Sequence, residues 1–310
     1  MELNKEISYH KVYPFSSSDI QQIEKKLEDS LHSGMLTNDV YVRELEDEIK
    51  KMYNVDYCIA TSSGTMGLYL CYYYYSYLKP LHLPNFTWES VDKITYYLWK
   101  EYHDIDKKTW HMNDFPKYGL ISPSHTFGNI QEYGETKGKV VFDAAHAFGA
   151  KIKEIGDATV FSFAPTKTIT TGEGGAIITN NKKFSEWLNE NRNSMCRMTE
   201  MNAIVGLQLL KYTNDIMDWK KTVYNFYSSE IPGDFQEIPI TSSYNTIGFL
   251  NTEHLIIPEH IKTKQYYVPI GGVSLLPNSY YVYKNICVLP SWFGLDCKKV
   301  VEDIWDVNKL

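Results

Sequence analysis

Four short apolar runs, VDYCIATSS (55–63), KVVF (139–142), ATVFSF (158–163) and AIIT (176–179), are separated by helical or loop sequence, and polar residues cluster at their carboxyl ends. That alternation constrains the chain more than any other feature. It predicts an α/β fold with a mostly parallel central sheet flanked by helices, whose ligands lie beyond the carboxyl ends of the strands. Asp143 and Ser162 stand at two such ends. Ile20, Ile23, Leu27 and Leu31 recur at helical spacing behind a Ser/Asp start, with Gly34 as the stop, and Val42, Leu45, Ile49 and Met52 mark a second amphipathic helix. A long helical pattern runs from about 199 to 230 until Pro232-Gly233 breaks it, and short strands and a last helix, CKKVVEDIWDV, follow. A boundary near 213 divides the chain into a large domain, 1–212, and a smaller C-terminal α+β domain, 213–310, on which the first residues are free to pack.

Composition excludes several classes of function. The formal charge is −7 and basic residues gather only in pairs such as Lys25-Lys26 and Lys298-Lys299, so a nucleic-acid footprint is missing. The start, MELNKEISYH, has neither a basic region nor an apolar core, so no secretory signal is expected. The most apolar stretch, YLCYYYYSYL, falls short of the roughly 18 apolar residues that a membrane span needs. Five cysteines, an odd count without a CxxC pair, fit reduced thiols and a cytoplasmic location. The histidines show no zinc-ligand spacing, and the group His103, Asp104, Asp106 and His111 reads as a solvated charged loop, so no metal is expected.

The segment FSFAPTKTITTGEGGAIITNN (161–181) places one lysine, Lys167, between two strand-like runs. No glycine precedes its Lys-Thr pair, which argues against a phosphate loop, and GEGG leads into a β-rich run rather than a helix, which argues against a dinucleotide fingerprint. Two readings remain. Lys167 is an ordinary loop lysine, or it is a desolvated amine able to form a Schiff base with a carbonyl. Ser63, Gly64 and Thr65 follow a strand and open a helix, a position that serves equally as a plain cap or as a phosphate site. Asp143 closes an apolar strand, where a buried carboxylate needs a cation or hydrogen bonds to stay ionised. Trp88, in PNFTWES, is either a packed core residue or a face on which a ring can stack. Pyridoxal phosphate requires a lysine for its aldehyde, a carboxylate opposite its ring nitrogen and donors at a helix start, and these residues supply all three.

SSGTMGL, PNFTWESV, FDAAHAFGA, FSFAPTKTITTGEGGAIIT and CRMTEMNAIVGLQLL, in this order, resemble the DegT/DnrJ-type sugar aminotransferases of fold type I. The resemblance extends from HSGMLTNDVYVRELE to NICVLPSWFGLDCKKVVEDI. It implies that Lys167 holds the cofactor covalently and shuttles a proton, and that Asp143 keeps the ring nitrogen protonated. It also implies that His146 contacts the ring hydroxyl edge, that Trp88 stacks on the ring, and that Ser162, Gly64, Thr65 and Met66 bind the phosphate. An amino-acid donor, glutamate, a nucleotide-linked keto sugar as acceptor, and a homodimer with active sites at the interface follow from the same resemblance. One departure stands out: the family carries Asn, reaching the neighbouring subunit's phosphate, where this chain has Met195 in a shortened connection, with Asn191 and Asn193 nearby. A PLP-dependent sugar dehydratase, or a cofactor-binding homologue with a regulatory role or no turnover, are the alternatives; dehydratase relatives replace the lysine by His.

Overall fold

The computed structural model describes residues 6–271 and 276–308, so the opening MELNK lies outside the described residues. Along the chain run α1 (Ser17–Ser33), α2 (Val40–Tyr53), β1 (Tyr57–Thr61), α3 (Gly64–Tyr74), β2 (Leu81–Pro84), α4 (Glu89–Ile94), β3 (Lys100–His103) and β4 (Leu120–Ile121). Then come β5 (Lys139–Asp143), β6 (Ala158–Ser162), β7 (Gly175–Thr179), α5 (Lys182–Met195), α6 (Glu200–Leu210) and α7 (Thr213–Glu230). The last elements are β8 (Asp234–Phe235), β9 (Ile247–Leu250), α8 (Pro277–Asn285), β10 (Ile286–Leu289) and α9 (Cys297–Asn308).

The large sheet has the order β1-β7-β6-β5-β4-β2-β3. From β6 to β3 the neighbours are parallel, while β7 runs antiparallel to both β6 and β1. Both faces are covered, as a buried parallel sheet requires. Period-two alternation on β7 sends Ala176 and Ile178 into the core that holds Val42, Leu45 and Ile49 of α2 and Ala203 and Leu207 of α6. Ile177 points the other way, among Leu68 and Tyr72 of α3 and Phe184 and Leu188 of α5. A smaller sheet, β10-β9-β8, is antiparallel and packs with Val223, Tyr227, Val300 and Ile304 of α7 and α9.

Helix ends follow local chemistry. Ser16 and Asp19 form a capping box at the start of α1, and Gly34, at φ 72°, closes it in the left-handed region that glycine enters without strain. The predicted apolar stripe of α1 is only partly covered, since Ile20 is 46% and Leu31 58% exposed; on α2, Val42, Leu45 and Ile49 are buried as expected, but Met52 at the end of the predicted face is exposed. A remote residue caps α2. Buried Glu200 accepts from the N–H groups of Asp39 and Tyr41, both at 2.6 Å. The long pattern from 199 to 230 is two helices, because the backbone turns at Lys211-Tyr212 between α6 and α7. Helix α8, with Pro277 in its first turn, interrupts a segment expected to hold only strands.

The group His103, Asp104, Asp106 and His111 does not converge. Asp104 accepts from the N–H groups of Asn278 and Ser279 at the start of α8 (2.9 and 2.7 Å), Asp106 accepts from those of Lys108 and Thr109, and His111 Nε2 pairs with the Asn129 carbonyl. These side chains pin loops rather than share a ligand.

Candidate active site

A cleft of about 390 Å³ opens where β1, β5 and β6 end, within the range of small-molecule sites. Ser63, Gly64, Thr65, Trp88, Asp143, His146, Ser162 and Lys167 all line it; Met66 alone of the predicted set does not. The Met66 backbone instead serves the helix cap, donating its N–H to Ser63 Oγ at 3.1 Å.

The phosphate-sized end is built by close approach. A Cβ on Gly64 would sit 2.8 Å from Ser162 Cβ, and one on Gly175 would sit 2.7 Å from the Ser63 carbonyl carbon. Glycine at both positions lets the start of α3 press against β6 and β7, so its unpaired N–H groups open into the cleft. The hydroxyls there are set to donate. Ser63 Oγ accepts from Met66 N–H and Ser162 Oγ from Ala164 N–H, which leaves each hydroxyl proton available to an anion.

The other end holds buried ionisable groups. Lys167 is displaced to about 8, chiefly by burial, with Asp143 opposing the shift and Lys264 adding to it. Burial pushes Asp143 upward; an Ala145 N–H at 3.0 Å and the Lys167 charge hold it back. His146 falls well below its ordinary value because it is buried beside Lys167 and Lys220, and its Nδ1 lies 3.4 Å from the Tyr267 hydroxyl. The neutral imidazole is therefore its resting form. Trp88, half exposed at the start of α4, faces Tyr266 and Tyr267 with ring centroids 6.3 and 6.1 Å away.

Sequence reasoning missed Lys264, Tyr266 and Tyr267, which reach the cleft from residues far along the chain, and Glu173 of the GEGG run. It also missed Lys220, a second buried lysine, whose Nζ donates to the Asn245 carbonyl at 2.6 Å and whose pKa falls to about 7 through burial and the Lys167 charge. Lys264 carries a weak signal, a cation beside two tyrosines in KTKQYYV; Lys220 carries none, since WKKT on an amphipathic helix reads as solvated. Near Met195, Asn193 pairs with Asn38 at 2.8 Å and Asn191 donates to the Trp187 carbonyl, so both candidate substitute amides are engaged locally.

These residues fit pyridoxal phosphate. A lysine displaced to about 8 and a carboxylate pushed upward by burial share one cleft, and a pyridinium would add a second cation to the Lys167 charge already acting on that carboxylate.

Known proteins agree in fold and family. A GDP-perosamine synthase of Escherichia coli O157:H7 is 28% identical over 229 residues, covering 62% of this chain and 63% of the relative. A dTDP-4-amino-4,6-dideoxy-D-glucose transaminase of Shigella dysenteriae is 31% identical over 144 residues, covering 37% and 38%. The matched region thus spans less than two thirds of either relative. The structure of Helicobacter pylori PseC, an aminotransferase involved in the biosynthesis of pseudoaminic acid, superimposes with a TM-score of 0.85 at 17% identity, covering 98% of this chain and all of that one. Such low identity speaks to the fold alone. The family model matches residues 17–304, nearly the whole sequence, and the chain therefore belongs to the DegT/DnrJ/EryC1/StrS aminotransferase family.

Proposed function

We propose that the protein is a pyridoxal phosphate-dependent aminotransferase that moves nitrogen from an amino acid, glutamate, to a keto sugar carried on a nucleotide. The observation that carries this reading is the convergence of Lys167 and Asp143, both buried, on one cleft with the start of α3 at its other end. Family membership and the nucleotide-sugar names of the relatives support the acceptor class.

When bound, the cofactor supplies an aldehyde for amine exchange and a ring that draws electrons from the reacting carbon. Lys167 Nζ, poorly stabilised as a cation, takes the proton from the donor's α-carbon and returns it on the acceptor side. Asp143 holds a proton at the ring nitrogen. His146, neutral and positioned near Tyr267, offers hydrogen bonding at the ring edge. Ser63, Thr65 and Ser162 with the Gly64 N–H would hold the phosphate, Trp88 would cover the ring, and Lys264, on the cleft wall, would supply a cation for the polar part of the substrate. Retention of Lys167 weighs against the dehydratase alternative.

A homodimer fits the exposed apolar residues Met35, Leu36, Val40, Met195 and Met201, each more than 40% exposed. Backbone pairing of Asn38 with Met198, and of Glu200 with Leu36, brings their segments together, and Asn202 ties the patch to the Glu173 carbonyl at the cleft. We assign 1–212 and 213–310 as large and small domains, in keeping with two sheets on either side of residue 213. A cytoplasmic setting suits five free thiols; no described helix is long and apolar enough to cross a membrane.

The test is single-turnover chemistry: the protein is mixed with glutamate, then with nucleotide-linked keto sugars, and products are read by mass spectrometry. An aminated sugar from the wild type and none from Lys167→Ala supports the assignment. Borohydride reduction and peptide mapping must place the pyridoxyl group on Lys167, and a label on another lysine overturns it.

A further inference from the structure

β3 is an edge strand of the large sheet, and there the fold brings two imidazoles and a carboxylate within reach of one ion. His82 lies opposite Glu101 in the parallel register of β2 and β3. His103 follows Glu101 by two residues, which in a strand returns it to the same face. His82 Nδ1 is 2.9 Å from His103 Nε2 and 3.5 Å from a Glu101 carboxylate oxygen. One ligand atom from each residue falls within a sphere whose members are no more than 4.8 Å apart.

The other side of the His82 ring lies against Gly119, where a Cβ would meet Nε2 at 3.0 Å and Cδ2 at 3.1 Å. His82 Nδ1 faces both His103 and Glu101. Two imidazoles and a carboxylate are a ligand set for zinc and its neighbours rather than for magnesium or calcium. A tetrahedral ion with metal–nitrogen bonds of about 2.0–2.1 Å places two nitrogens roughly 3.4 Å apart, so a half-ångström rotation of the partly exposed His103 ring admits it. The fourth position is open to water.

We propose that His82, Glu101 and His103 form a site for a divalent transition ion of the zinc class, separate from the cofactor cleft, that clips the edge strand β3 to β2. The site also ties down β2, whose exit leads to Thr87 and Trp88 of the cleft.

The experiment titrates Zn²⁺ into the purified, cofactor-loaded protein by calorimetry and follows Co²⁺ by visible absorption. One ion per chain is expected, with a tetrahedral nitrogen/oxygen Co²⁺ spectrum and a higher Tm in its presence. Glu101→Gln, which changes only an exposed side chain, is expected to weaken binding by about 10-fold. His103→Ala is expected to exceed the roughly 100-fold upper cost of losing an outer partner. A wild type that takes up no Zn²⁺ shows that His82 and His103 share a proton and nothing more, which overturns the proposal. Equal affinity in both variants, a thiolate charge-transfer band from the cysteines, or a signal seen only in the cofactor spectrum overturns it as well.

Discussion

Asp143 is held where burial disfavours its charge, the Ala145 N–H and the Lys167 charge offset only part of this, and a pyridinium arriving with the cofactor would offset more. Asp143→Asn is expected to fold and bind cofactor yet to lose turnover by orders of magnitude, since each pKa unit of lost pyridinium stabilisation is worth about 1.4 kcal/mol. Stopped-flow half-reactions with glutamate measure this, and near-normal rates remove Asp143 from its role. Lys167 carries the complementary prediction. Its folded value, about 8, lies below the ordinary 10.5, so the unfolded chain binds more protons between those values. Through this group the stability of the cofactor-free protein therefore rises as pH climbs from about 8 to 10.5, and is lowest below 8. Lys167→Met is expected to flatten that rise in urea melts taken across the window. Lys264→Met, which removes a repelling charge, is expected to move the Lys167 titration upward.

At the scale of elements, α5, α2 and β1 are joined by one buried ion pair. Arg192 Nη1 donates to Glu46 at 2.7 Å and to the Ala60 carbonyl at 3.2 Å, while the Ala60 N–H donates to the same Glu46 oxygen. Burial raises the Glu46 pKa against the pull of Arg192. Arg192→Met leaves that carboxylate without its cation and is expected to cost about 3–5 kcal/mol, whereas Arg192→Met with Glu46→Gln recovers much of the loss. Denaturant melts of the single and double variants check it, and equal losses contradict the account. The pair also shows where sequence stopped being informative. Periodicity exposed α2, the major strands and the glycine stop of α1, because these rest on neighbours within a few residues. Glu46 and Arg192 meet over the edge strand β1 from positions 146 residues apart, and nothing local marks either. For the same reason Lys167, Asp143 and Ser63–Thr65 were legible, each sitting where a strand ends, while Lys264, Tyr266 and Tyr267 come from a loop with no regular pattern. The α1 stripe misled in part because periodicity records which face is apolar, not whether anything covers it.

The whole molecule leaves Met35, Leu36, Val40, Met195 and Met201 uncovered beside the cleft. Under the dimer proposal these residues meet a second copy across a two-fold axis. Val40→Asp with Met201→Asp is expected to yield monomers in sedimentation velocity, with turnover falling alongside; a wild-type protein that sediments as an active monomer refutes the arrangement. Met195, at the end of α5, offers only a weak acceptor to a neighbour's phosphate. Met195→Asn is expected to slow loss of cofactor on dialysis, by up to the roughly 1.5–3 kcal/mol of one charge-assisted hydrogen bond.

Strand β7 gives these parts an order in time. β1 joins the large sheet only through β7, so Tyr57 pairs with Thr179, and Gly175 presses on the turn that opens α3. The two halves of the phosphate cradle, Ser63–Thr65 and Ser162, touch directly at Gly64, but the sheet that carries both is continuous only once the ribosome has delivered residues 175–179. Every strand that bears a cleft residue precedes this one, yet none can be brought into register with β1 before it. A nascent chain halted short of β7 has the lysine, the carboxylate and both sides of the cradle, but β1 has no partner in the sheet, so the frame beneath the cleft is finished by this one long-range closure.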